Sequence, residues 1–110
     1  MNDLTLPPTG VTMASSEIAE LTGKQHAHVI RDIRTMLDAL ADDPDLDHPQ
    51  DGPVLGHHED KDSRGYTTNF HLNRELTETL ITGYSVPLRN KVIRRLHDLE
   101  RQIATPRELS

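Results

Sequence analysis

Hydrophobic residues recur at helical spacing in two neighbouring stretches near the start of the chain. Ile18 and Leu21 lie on one face of a short predicted helix, and Gly23 is expected to end it in the left-handed conformation. A longer apolar stripe follows at spacings of four, three and four residues, with two apolar positions beside it: Val29, Ile33, Met36 and Leu40, widened by Ile30 and Leu37. This stripe predicts a second, longer helix whose opposite face is polar and partly basic.

Polar residues mark where these two helices begin. Ser15 or Ser16 is expected to cap the first helix, with the carboxylate of Glu17 placed favourably in its first turn. Lys24 or Gln25 is expected to open the second helix directly after the glycine. A short capped helix, a tight turn and a second helix with a partly basic outer face form the helix-turn-helix pattern.

Alternation of apolar and polar residues predicts a small β-sheet around this motif. Val11–Met13 is β-favourable and long enough for one short strand before the first helix. Val54–Glu59 and Tyr66–Leu72 flank a charged turn and predict a β-hairpin. The second flank is expected to be a half-buried strand, in which four residues alternate with polar positions and form the buried face: Tyr66, Thr68, Phe70 and Leu72.

Two more helices are predicted after the hairpin. Asn73 is expected to cap the third helix and Gly83 to end it. Its inward face holds three residues: Leu76, Leu80 and Ile81. Ser85 is expected to cap the fourth helix, whose first turn tolerates Pro87. The fourth helix carries a long apolar stripe at spacings of four, four, three and four residues: Leu88, Val92, Leu96, Leu99 and Ile103.

The order strand, helix, helix, hairpin, helix, helix predicts an α+β, mainly α fold: a winged helix-turn-helix with a β-hairpin wing and an added C-terminal helix. Residues 1–10 are expected to be a flexible arm and residues 105–110 a tail. The domain spans residues 11–104 and contains an acidic, proline-rich loop at residues 41–53.

Composition narrows the class of protein. The 110 residues contain no Cys, and no apolar run approaches the roughly 20 residues that a membrane span needs. No signal peptide is visible, so a cytoplasmic protein is expected. There is no glycine-rich phosphate loop and no nucleophile motif, and we expect no catalytic activity and no cofactor.

The net charge of −6 argues against DNA binding until its distribution is considered. Eight acidic residues and one basic residue fall within residues 42–62, whereas residues 63–110 hold eight basic and five acidic residues. An acidic loop that points away from a basic face need not abolish binding there, because the Debye length is about 8 Å at physiological salt. The charge therefore neither supports nor excludes a DNA-binding protein.

The side chains around the turn and on the hairpin tip are the candidate DNA contacts, with double-stranded DNA as the partner: Lys24, Gln25, His26, His28, Arg31, Arg34, Lys61 and Arg64. Arginine makes bidentate bonds to guanine and glutamine to adenine in the major groove. Each of these side chains could also form an ordinary solvated surface, and Arg31 and Arg34 could pair with carboxylates of the chain. His26 could pack the turn instead of touching a base.

The stripe of the fourth helix is the candidate dimer interface, because one short chain has little core with which to cover it. The basic face opposite that stripe could contact DNA phosphates, or it could be an ordinary solvated face of the helix. The histidines near the aspartates (His48, His57, His58 and His71) lack zinc spacing, and adjacent His57 and His58 would point to opposite sides of a strand, so no metal site is expected.

Several short motifs resemble the N-terminal domain of the Rha family of phage regulatory proteins. These are Thr22-Gly23-Lys24, His26, Val29, Arg31-Asp32-Ile33, and later Gly83-Tyr84-Ser85-Val86 with Leu88-Arg89. The resemblance covers roughly residues 11–102 and implies a prophage-encoded regulator with a DNA-binding-like domain. A second class remains open: an antirepressor or DNA mimic whose acidic loop binds a protein such as a repressor.

Overall fold

The computed structural model describes residues 11–43 and 56–104, and within them the elements follow the predicted order. They are β1 (Thr12–Ala14), α1 (Ser15–Thr22), α2 (His26–Ala41), β2 (His57–Lys61), β3 (Thr67–Asn73), α3 (Arg74–Ile81) and α4 (Val86–Ala104). The fold is α+β and mainly helical, as predicted. The predicted arm (1–10), tail (105–110) and acidic loop beyond residue 43, with His48, lie outside the described residues. No helix in the described ranges combines the length and apolarity needed to cross a bilayer.

The three strands form one antiparallel sheet in the order β1-β3-β2, and the helices pack on its inner face. Phe70 and Leu72 of β3 point into a core to which every helix contributes. The α2 stripe faces this core as predicted: Val29 and Ile33 are fully buried, and Ile30, Met36, Leu37 and Leu40 pack at its edge. The inward face predicted for α3 is also buried.

The hairpin exists, but its boundaries differ from the prediction. Of the predicted first strand, residues 54 and 55 lie outside the described residues, and β2 spans His57–Lys61, two residues beyond the predicted end at Glu59. β3 is shifted by one residue toward Asn73. Tyr66 lies outside the strand and is 64% exposed, and Thr68 is exposed too, so the predicted half-burial was wrong for both. The two apolar side chains of β3, Phe70 and Leu72, are buried.

The helix caps show both agreement and error. The Oδ1 atom of Asn73 accepts a hydrogen bond of 2.9 Å from the Leu76 amide, which confirms the predicted cap of α3. The predicted cap of α1 was wrong, because Ala14 occupies the cap position and Ser15 is the first helical residue. Helix α3 ends at Ile81 with Thr82 as its C-cap, so Gly83 does not end it.

The apolar stripe of α4 is not a free face. Val92 and Leu96 are fully buried in the core of the chain itself, and Leu88 and Leu99 are partly buried against it. The predicted dimer interface was therefore wrong for Val92 and Leu96, because neither exposes any surface to a partner. The side chain of Ile103 lies outside the described set.

Replacing Gly56 with Ala is expected to destabilise the fold by about 1–2 kcal/mol more than replacing Gly23 with Ala. Both glycines have positive φ, 102° and 76°, so both substitutions introduce backbone strain. An added Cβ at Gly23 meets nothing within 4 Å, whereas one at Gly56 would lie 2.5 Å from Nδ2 of Asn73 and displace the α3 cap. Urea denaturation of the two variants measures the difference; equal losses would contradict this reason.

Candidate nucleic-acid interface

The outer face of α2 is exposed along its length. Ala27, His28, Arg31, Thr35 and Asp38 are exposed on it, opposite the buried stripe. Arg31 has a side chain that is 67% exposed, and its only ion pair in the described residues is a long one, 3.9 Å, to neighbouring Asp32. Its guanidinium is therefore available to a ligand, as predicted for an outward-facing residue.

The turn before α2 places its polar residues differently. Gln25 is exposed at the N-cap position, and its carbonyl accepts hydrogen bonds from the His28 and Val29 amides at 3.0 and 3.1 Å. Lys24 is only half-exposed, with its Nζ atom 4.6 Å from the centre of the Tyr84 ring. The ammonium of Lys24 is thus held against α3–α4 by a cation–π contact.

Buried Ser15 connects the start of α2 to the sheet. Its hydroxyl donates to Oδ1 of Asn69 at 2.6 Å and accepts from the Phe70 amide at 2.9 Å. Since that proton is already donated, the third contact, 2.8 Å to Nε2 of His26, requires the imidazole to be the donor. Of the two roles open to His26, the structure shows the packing one.

The network also explains why Ser15 does not cap α1. Strand β1 ends at Ala14, which pairs with His71. The amide of Phe70, the residue before His71 in β3, therefore has no hydrogen-bond partner in β1. The Ser15 hydroxyl takes the place of that partner by accepting the Phe70 N–H group. A backbone amide that would otherwise be buried and unpaired is satisfied.

Arg34 is exposed, with 52% of its side chain accessible, but its guanidinium contacts the hairpin. Its Nη2 atom donates to Oγ1 of Thr67 at 2.6 Å and lies 3.6 Å from Oε2 of Glu59, to which Thr67 also donates. The guanidinium carbon is 5.6 Å from the centre of the Phe70 ring. Arg34 therefore joins α2 to both strands of the hairpin.

The hairpin tip presents Lys61 and Arg64 to solvent, as predicted. Its loop is ordered by Asp62, whose Oδ1 atom accepts hydrogen bonds from the Arg64 and Tyr66 amides at 2.9 and 3.0 Å. The Arg64 guanidinium lies 5.4 Å from the centre of the exposed Tyr66 ring. Sequence reasoning missed Tyr66 as a surface residue, because its place in an alternating segment suggested burial.

Three side chains on the outer face of the sheet form a separate polar cluster. The carboxylate of Asp60 contacts Nε2 of His71 at 2.7 Å and Nε2 of His58 at 2.9 Å. The hydrogen bond with His71 is the main reason that the pKa of Asp60 lies below its usual value. His57 points to the opposite side, 6.1 Å from the Phe70 ring centre, as predicted. Within residues 11–43 and 56–104 no three His, Asp or Glu side chains are arranged to hold a metal ion.

A polar groove borders the other side of the α2 surface, between α2 and α3. It is lined by Lys24, Asp32, Thr35, Met36, Thr79, Leu80, Thr82, Gly83 and Tyr84. Burial raises the pKa of Tyr84 to about 12, with a smaller contribution from the charge of Asp32, so its hydroxyl stays protonated. The α2 surface thus lies between the hairpin on one side and α3 on the other.

One comparison with known proteins gives a result. A family model described as phage regulatory protein Rha matches residues 13–101, most of the chain, in agreement with the resemblance drawn from the motifs. Comparisons with curated proteins and with solved structures find no match.

Proposed function

The chain belongs to the family of phage regulatory protein Rha, and we propose that it regulates phage genes by binding duplex DNA through α2. In this proposal α1 and α2 are a helix-turn-helix, α2 enters the major groove, and the β2–β3 hairpin is a wing that contacts the adjoining backbone. The protein is prophage-encoded and acts in the cytoplasm of the bacterial host.

The observation that supports the proposal most directly is the uncovered outer face of α2. Any amphipathic surface helix has a solvated polar face, so the support comes from which side chains α2 exposes and where they lie. Arg31 extends outward with one long ion pair, and exposed Gln25 and His28 flank it toward the helix N-terminus. These are the positions from which a recognition helix reads base edges.

The contacts divide the candidate residues by role. Arg31, Gln25 and His28 are free to read bases, and Lys61 and Arg64 to contact phosphates. Arg34 holds the wing against α2, Lys24 braces the turn on Tyr84, and His26 fixes the start of α2 through Ser15. Arg34, Lys24 and His26 thus position the interface and do not contact bases. Exposed Tyr66 adds an aromatic surface at the wing tip.

Replacing Arg31 with Ala is expected to weaken binding to the specific duplex about 5- to 150-fold, which corresponds to the loss of about 1–3 kcal/mol from one bidentate base contact. Fluorescence anisotropy with labelled duplexes taken from DNA that flanks the gene, at several salt concentrations, measures the effect. The logarithm of affinity should fall linearly with the logarithm of salt concentration.

Two variants on the same helix separate base reading from charge. Arg31→Lys keeps the charge but not the planar fork, so it should lose discrimination between duplexes while retaining the salt dependence. Asp38→Asn removes a negative charge from the same face and should strengthen binding. Absence of duplex binding at low salt, or an Arg31→Ala variant that binds like the wild type, would refute the proposal.

The acidic segment favours a second candidate function. Residues 42–62 hold eight acidic residues and one basic residue, a charge pattern suited to engaging the basic surface of a repressor as an antirepressor or DNA mimic. Tight binding to a repressor encoded nearby, together with no affinity for duplexes, would establish this function in place of the first.

Homodimerisation remains a prediction. A two-fold dimer would present two α2 helices to half-sites separated by about 34–36 Å or a multiple of that distance. With Val92 and Leu96 buried in the core, only the edge residues Leu88 and Leu99 and the undescribed Ile103 side chain remain of the stripe. Sedimentation velocity at micromolar concentration would detect the dimer.

A further inference from the structure

We propose that the outward face of α4 is a second DNA-contact surface, which binds backbone phosphates beside the segment engaged by α2. Its centre is Lys91 and Arg94. The inference rests on the proposed function, which it extends to a helix outside the helix-turn-helix and wing.

Helix α4 carries a concentration of positive charge that the rest of the described chain lacks. Five basic residues fall between positions 89 and 101, against two acidic ones, in a protein whose net charge is −6: Arg89, Lys91, Arg94, Arg95 and Arg101. Lys91 and Arg94 lie on the side of the helix opposite the buried Val92 and Leu96.

Most of the other α4 cations are engaged by the chain, whereas these two are not. Arg95 donates to Oε2 of Glu17 at 2.6 Å, and Arg101 pairs with Asp98. Lys91 and Arg94 are both exposed, and neither has a carboxylate within ion-pair distance in the described part of the chain. Their charges are therefore available to an external anion.

The packing of α1 and α4 places these two cations beside the helix-turn-helix. Leu21, two residues before the Gly23 turn, lines a groove together with Pro87, Asn90, Lys91, Arg94, Arg95 and Asp98 of α4. The turn itself touches the start of α4, because Lys24 lies over the ring of Tyr84, two residues before that helix. The cationic part of α4 thus flanks the end of α1 from which the chain passes into α2.

This position is where a phosphate backbone would run. In helix-turn-helix complexes the first helix crosses the backbone at the rim of a major groove that is about 12 Å wide. At 1.5 Å per residue, Lys91 and Arg94 lie roughly 8 and 12 Å along α4 from its first residue.

The charges of the α2 and wing surface alone are few. Among the described residues, Arg31 has only the long ion pair to Asp32, and the Arg64 guanidinium contacts only the exposed Tyr66 ring at the tip beside Lys61. Arg34 pairs with Glu59, and Lys24 lies over the buried Tyr84. Affinity for duplex DNA rises with the number of phosphates that Lys and Arg side chains neutralise. A second cationic surface adds two such contacts and counters the charge of the acidic loop. An acidic protein could also recognise such a surface, but the position of the cations beside the turn favours DNA.

The double variant Lys91→Gln, Arg94→Gln tests the proposal, with the full chain and fluorescence anisotropy on a specific and a random duplex of about 25–30 base pairs at pH 8. The slope of log affinity against log salt should become less steep by about 1.8, roughly 0.9 for each lost phosphate contact. Affinity for both duplexes should fall by the same factor, so their ratio is unchanged, in contrast to Arg31→Ala.

The control is Asn90→Gln, an exposed residue of the same groove whose replacement changes no charge and should leave the slope unchanged. Circular dichroism verifies that all variants are folded. If the wild type binds duplexes and the double variant keeps the full slope, the α4 surface is refuted while the α2 proposal stands. If the wild type binds no duplex, both the α2 proposal and the α4 proposal fail. A double variant that loses binding to an acidic protein but not to duplexes would also overturn the α4 proposal.

Discussion

Replacing Phe70 with Ala is expected to lower the free energy of unfolding by about 3–5 kcal/mol, the usual cost of truncating a buried aromatic residue. Phe70 is the single Phe of the chain, is 2% exposed and lies in the central strand of the sheet. The His57 ring and the Arg34 guanidinium both lie against its ring, so the cavity would open beneath the hairpin. Small domains have only about 5–15 kcal/mol of stability, so much of it would be lost.

Urea denaturation followed by circular dichroism measures this loss, and Tyr66→Ala is the matched control. Tyr66 belongs to the same hairpin, but it is 64% exposed, so its truncation should change stability by less than about 0.5 kcal/mol. Similar losses in the two variants would show that Phe70 does not anchor the sheet to the helices.

Replacing Ser15 with Ala is expected to cost about 2–4 kcal/mol, because buried polar groups that lose their partner cost about 1–3 kcal/mol each. The Phe70 amide would lose its acceptor, and the imidazole of His26 would lose the group that holds it. Since His26 is the first residue of α2, the variant should also bind the specific duplex more weakly than its loss of stability alone explains.

Chemical denaturation and duplex titration of the same preparation check both effects, with binding measured well below the unfolding midpoint. Ser63→Ala removes an equal hydroxyl from the exposed hairpin tip and should leave stability and binding unchanged. A Ser15→Ala variant as stable as the wild type would mean that another group satisfies the Phe70 amide.

Periodicity predicted most of the fold, because each helix buries one face against a common core. It failed where the pattern was weak or ambiguous. Strand β2, His57–Lys61, contains no aliphatic residue, so its limits are set by pairing with β3 and not by its own alternation. The α4 stripe was found correctly, but periodicity does not tell whether an apolar face packs within the chain or against a second copy.

The candidate interface was predictable only where it depends on local structure, a single helix or the hairpin tip. The outward direction of Arg31 follows from helix geometry alone. Arg34 is one helical turn away, and its engagement depends on Thr67, which is 33 residues later in the sequence. The same holds for Ser15, which local propensity marks as a helix cap but which meets Asn69, 54 residues away. Long-range partners of this kind leave no signal in the spacing of one sequence.

The bridge from Arg34 through Thr67 to Glu59 has a consequence for the DNA that this protein would accept. It joins the β2–β3 hairpin, the proposed wing, to α2, the proposed recognition helix, and so favours one fixed arrangement of the two. A duplex turns by about 34–36° with every base pair. Inserting one base pair between the sequences read by α2 and by the wing would therefore rotate one of them out of reach, and the half-site should have a fixed length.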